Sequence, residues 1–260
     1  MSRRLVLVVL SVAAALSCAR SPRPSGEIKV AAASDLGHAF PELGKAFQAK
    51  DGIKPIFTFG SSGNFAKQLA EGAPFDVFAS ANVKFVDDVI AAGACDGATK
   101  VMYARGRIVV WTKPGVEPAK SIADLADPRF VKVAIANPQH APYGKAAQQA
   151  LEAAGAWAAV QPKLVFGENI QQTFQFAQSG NAEAAVVALS LAMAEGKEGK
   201  EWVFVDQSLH QPLDQALVVC SHGGNAAGGK AFAAFVASEE GKKIMAGFGF
   251  TLPGDAAAAR

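Results

Sequence analysis

The chain has 260 residues, with 25 Lys and Arg against 23 Asp and Glu, and half of its residues are hydrophobic. That length can bury one large core or two lobes. The first 17 residues hold Arg3 and Arg4 and no acid, so the remainder carries 23 basic and 23 acidic residues; this neutral balance argues against a nucleic-acid partner, whose phosphates call for a basic face.

The chain opens as an export signal. Arg3 and Arg4 form a charged start, and the apolar run Leu5 to Leu16 is too short to span a bilayer as an ordinary helix. Residues 1–17 are read as the signal peptide and 18–26 as a tether rich in Arg, Ser and Pro. Two processing routes stay open. Ala15-Leu16-Ser17 offers small residues to signal peptidase, while Leu16-Ser17-Cys18-Ala19 resembles a lipobox with Cys18 as the lipidated residue. Export makes the protein periplasmic, and lipidation would anchor it to the membrane. Cys95 and Cys220 remain in the exported part; a disulfide between them and two free thiols are both open.

Strands and helices then alternate. Strand 28–32 leads to helix 36–49, where Phe40, Leu43 and Phe47 repeat at helical spacing. Strand 56–59 leads to helix 65–70, strand 76–80 to helix 83–91, and strand 108–112 leaves this first unit. A second unit follows: helix 122–125, strand 133–136, helix 143–154, strand 163–166, helix 170–179, strand 184–187, helix 189–195 and strand 202–205. Strand 213–220 is long enough to run between units, and helices 230–236 and 241–248 finish the chain. The order predicts two α/β lobes, parallel sheets with helices on both faces, and a chain that crosses twice. The boundaries read as 27–107 and 216–260 for lobe 1 and 108–215 for lobe 2.

Two loops stand out. Ala31-Ala32-Ala33-Ser34-Asp35 and Gly60-Ser61-Ser62-Gly63-Asn64 each follow a predicted strand and open a predicted helix. In an α/β sheet, ligands lie beyond the carboxyl ends of strands, where both loops fall. A helix N-terminus leaves about four N–H groups without intrahelical partners, and small hydroxyl residues there add donors with little bulk. Two such ends facing one gap make an anion site without a basic side chain.

Several motifs argue for other chemistry or for none. Ser34 and Asp35 are also favoured helix caps, and the Asp35 carboxylate is expected to turn away and cap, leaving its N–H to a ligand. Ser61-Ser62-Gly63 alone is more commonly an ordinary turn. The run from Gly224 to Ala231 nearly fits a phosphate loop ending at Lys230, but Ala231 stands where a magnesium-binding hydroxyl is needed and only about thirty residues follow; it is read as a flexible surface loop. His38, His140, His210 and His222 have no metal spacing. An exported α/β hydrolase using Ser62 would need a base and an orienting acid nearby.

The series Val30-Ala31-Ala32-Ala33-Ser34-Asp35, Phe59-Gly60-Ser61-Ser62-Gly63 and Gly72-Ala73-Pro74-Phe75-Asp76-Val77-Phe78-Ala79-Ser80-Ala81 resembles the periplasmic molybdate-binding proteins of ABC importers. So do Asn137-Pro138-Gln139-His140-Ala141-Pro142-Tyr143-Gly144, Gly167-Glu168-Asn169-Ile170 and the terminal Phe248-Gly249-Phe250, and together they cover roughly residues 27–252. The resemblance implies a type II periplasmic binding fold: two Rossmann-like lobes joined by two crossover strands. It implies no catalysis and no cofactor. It implies a monomer that takes molybdate or tungstate and passes it to a membrane permease; sulfate or phosphate is the alternative ligand. By matching positions, Ser34, Asp35, Ser61, Ser62, Tyr143 and Ile170 would hold the oxyanion through hydroxyl and backbone N–H groups, with no direct metal ligand. The family often adds a tyrosine hydroxyl where this chain has Ala188; two readings stay open, that the Tyr143 hydroxyl replaces it and that Tyr143 serves through its backbone N–H alone.

Overall fold

The computed structural model describes residues 26–194 and 202–252. The export signal, Cys18 and the tether as far as residue 25 lie outside these residues.

The first half of the chain runs β1 (Gly26–Ala33), a 3-10 turn (Ser34–Leu36), α1 (Ala39–Asp51), β2 (Ile53–Gly60), α2 (Ser62–Ala70), β3 (Val77–Ser80), α3 (Val83–Ala91), β4 (Cys95–Gly106) and β5 (Ile108–Thr112). Then come β6 (Val133–Ala136), α4 (Pro142–Ala153), α5 (Trp157–Val160), β7 (Leu164–Gly167), α6 (Ile170–Gln178), β8 (Ala184–Ala188) and α7 (Leu189–Ala194). β9 (Trp202–Phe204), β10 (Leu213–Cys220), α8 (Ala226–Ala237) and α9 (Glu239–Gly247) complete the order.

The strands form two five-stranded sheets, ordered β2-β1-β3-β10-β4 and β7-β6-β8-β5-β9. Each is the sheet of one α/β lobe. The chain passes to the second sheet between β4 and β5, at Arg107, and returns between β9 and β10. Both sheets are mixed, where parallel sheets were expected. β1 pairs parallel with β2 and β3, but β10 runs antiparallel to β3 and β4. Likewise β6 pairs parallel with β7 and β8, and β5 runs antiparallel to β8 and β9. The cause is the crossing. β5 and β10 enter directly from the other sheet, with no helical crossover on their own sheet to force parallel pairing.

Helical spacing locates the core face of α1 correctly: Phe40, Leu43 and Phe47 are fully buried. Phe40 and Phe47 meet Phe232 of α8 edge-on, with centroids 5.9 and 5.2 Å apart. Two local readings change and one open question is answered. The stretch Cys95–Gly106, left without an element in the sequence, is the longest strand among the described residues; it is an edge strand, and Asp96 to Ala98 near its start are exposed, which hides the apolar alternation. Residues 226–231 begin α8 and do not form a flexible loop: Asn225 caps the helix by accepting from the Gly228 N–H at 2.9 Å, and Gly228 and Gly229 are buried. Lys230 points outward and lies 3.9 Å from Asp96. Finally, Cys95 and Cys220 face each other across the β4–β10 ladder and form a disulfide.

Candidate functional site

Four strand ends deliver the site. β1 ends at Ala33, β2 at Gly60, β6 at Ala136 and β7 at Gly167, and the chain after each turns into the gap between the sheets. A small cavity there is lined from the first lobe by Ser34, Asp35, Ser61 and Ser62 among others, and from the second by Tyr143, Asn169 and Ile170. All six sequence-predicted residues therefore share one cavity. Its lining includes no Lys, Arg or His.

The positive character comes from helix ends, though not the pair expected. α1 starts at Ala39, not after Ser34. Gly37 breaks the run: its N–H closes a 3-10 turn on the Ser34 carbonyl at 3.3 Å. The helices that open at the cavity are α2, at Ser62, α4, at Pro142-Tyr143, and α6, at Ile170. The first-turn N–H groups of Ser62, Tyr143 and Ile170 have no intrahelical acceptor, and among the described residues none is seen elsewhere. Three helix ends thus leave bare donors around one small space.

The four hydroxyls differ in what their single protons do. Ser62 Oγ accepts from the Ala81 N–H at 3.0 Å and keeps its proton to donate. Ser34 Oγ accepts from the Gln171 N–H at 3.4 Å and keeps its proton too. Both are buried. Ser61 is committed elsewhere. Its Oγ lies 2.5 Å from the His140 carbonyl, which has no proton to give, so the serine donates there. The Tyr143 hydroxyl donates to Asp35 Oδ2 at 2.9 Å.

Asp35 does not cap. No side-chain cap bond forms at its turn; its carboxylate is instead buried in a side-chain network. Oδ2 accepts from Gln215 Nε2 at 2.6 Å as well as from Tyr143, while Oδ1 has no partner. Burial pushes its pKa up to about 6, partly offset by these hydrogen bonds. The Gln215 carbonyl oxygen accepts from the Tyr103 hydroxyl at 2.9 Å. The sequence carries no local signal for this network: Gln215 lies 180 residues from Asp35.

A serine and a histidine do meet, but at Ser61, not Ser62. His140 Nδ1 is 3.0 Å from Ser61 Oγ, and His140 Nε2 is 3.6 Å from the exposed Glu168. Because Ser61 gives its proton to a carbonyl, the ring must donate to the serine. A ring in that role is no base for a nucleophile. The same His140 carbonyl takes the Gly63 N–H at 2.9 Å, so the cluster reads as a seam between lobes. Ala188 ends β8, buried, and is not among the cavity residues.

The chain is similar to known proteins over nearly its whole length. A family model described as bacterial extracellular solute-binding protein matches residues 28–251. The molybdate-binding protein ModA of Rhodobacter capsulatus is 33% identical over 231 residues, which are 88% of this chain and 90% of that protein. Its counterpart in Azotobacter vinelandii is 33% identical over 249 residues, 95% of this chain and 97% of that one. A solved structure of the Azotobacter vinelandii periplasmic molybdate-binding protein superposes with a TM-score of 0.80 at 28% identity, covering 87% of this chain and 99% of the other. Two α/β lobes, a cleft at the strand ends and this likeness over nearly the whole chain lead to one conclusion: the chain belongs to the bacterial extracellular solute-binding proteins.

Proposed function

We propose that this protein captures molybdate, and tungstate equally well, in the cleft between its lobes and delivers it to the permease of an ABC importer. The carrying observation is the cavity lining: three helix N-termini and two serine hydroxyls with free protons, and no cationic side chain. Relatives named for molybdate binding supply the ligand class. In this reading Ser34 and Ser62 donate through their hydroxyls. Asp35, Tyr143 and Ile170 donate through backbone N–H groups, and Ser61 positions the seam.

A dianion in a dry cleft gains from several charge-assisted hydrogen bonds at once. Donors fixed on helix ends and strand ends cannot shrink to a smaller ion, so sulfate would be left underbonded. The step is binding without a covalent change, it needs no cofactor, and the protein works outside the cytoplasm as a monomer. Isothermal titration with molybdate, tungstate, sulfate and phosphate tests this. Molybdate and tungstate should bind alike and sulfate far more weakly. Sulfate binding as tight as molybdate would leave a general oxyanion carrier.

A further inference from the structure

The Tyr143 hydroxyl does not end at the cavity. It crosses from α4, in the second lobe, into a buried group of first-lobe side chains. Asp35 belongs to the turn after β1, Gln215 to β10 and Tyr103 to β4. Tyr143 donates to Asp35 Oδ2 at 2.9 Å, and Gln215 Nε2 reaches both Asp35 Oδ2, at 2.6 Å, and the Tyr143 oxygen, at 3.2 Å. Gln215 is in turn held by Tyr103 at 2.9 Å. All four side chains are 2% exposed or less. Gly106, the last residue of β4 before the crossing, explains how the ring fits. A Cβ there would collide with the Tyr143 hydroxyl and lie 3.0 Å from Gln215 Nε2. Its φ is not in the left-handed region, so its lack of a side chain serves space and not backbone freedom.

We propose that Tyr143, Asp35 and Gln215 form an interlobe clasp that holds the cleft shut and sets how long the anion stays. The contact exists only while the lobes are together. Removing Tyr143's hydroxyl leaves a buried carboxylate short of one donor in the closed state, whereas water can serve it in the open state. Loss of the clasp should therefore speed opening and release while leaving anion encounter alone. Gln215 is the telling member: it is not among the residues that line the cavity. It is a positioning residue that acts through Tyr143 and Asp35.

The inference rests on the proposed oxyanion binding, and stopped-flow fluorescence with molybdate separates the two. Gln215→Leu and Tyr143→Phe should each raise the dissociation rate about tenfold, with the association rate unchanged. The double variant should be no worse than the single ones, because both break one unit. Gly106→Ala, which displaces the tyrosine without altering any polar group, should give the same phenotype if Gln215→Leu folds poorly. A wild-type dissociation rate in Gln215→Leu, or effects of the two variants that multiply, would overturn the clasp and assign the tyrosine hydroxyl to the anion itself. Should wild type bind no oxyanion, the function reading fails, and small-angle scattering of the ligand-free protein decides the clasp: a larger radius of gyration in both variants supports it, and unchanged radii reject it.

Discussion

Proton placement ranks the residues of the site. Ser34 and Ser62 each accept a backbone N–H and so present their own protons to the cavity. Ser34→Ala and Ser62→Ala should each weaken molybdate binding by about tenfold to a hundredfold, since a hydrogen bond to a charged group contributes roughly 1.5–3 kcal/mol. Titration calorimetry checks this, with circular dichroism melting to confirm folding. Asp35 carries a different consequence. Burial raises its pKa from 3.8 to about 6, so the folded state holds a proton that the unfolded state has released across that interval. The unfolded chain binds fewer protons at this group, so the contribution of Asp35 to stability falls as pH rises between the two values. Asp35→Asn should flatten this part of the melting-temperature profile; a slope unchanged by the substitution would rule out Asp35 as its source.

At the scale of elements, the site is a meeting of helix starts. Much of that was legible. Small residues after two apolar strands mark Ser34, Asp35, Ser61 and Ser62, and family-like motifs mark Tyr143 and Ile170; all six line one cavity. What could not be read is what the side chains do there. Whether a serine proton faces an anion or the His140 carbonyl depends on a residue 79 positions away. The antiparallel β5 and β10 were hidden because pairing direction follows from which sheet the chain comes from, and local sequence does not record that. Gly63 joins elements across the cleft: a Cβ there would lie 2.7 Å from the His140 carbonyl oxygen. Gly63→Ala should therefore hinder closure, weakening molybdate binding while leaving the melting temperature of the ligand-free protein nearly unchanged. An unaltered affinity would show that the seam opens without cost.

The whole molecule is two lobes tied by two crossings, with the anion site between them. Its stability and its binding are separable. The Cys95–Cys220 disulfide joins β4 to β10 in the first sheet, closing a separation of 125 residues. Constraint of so long a loop in the unfolded chain stabilises the fold by about 2–5 kcal/mol. Reduction should lower the denaturation midpoint accordingly and leave molybdate affinity intact, because neither cysteine lines the cavity. The most direct test of the account is the affinity of the wild-type protein for molybdate set against sulfate, measured by titration calorimetry in one buffer. Rigid neutral donors at three helix ends require molybdate to bind much more tightly, and tungstate to match it. Equal affinity for sulfate, or no heat with molybdate, would contradict the account.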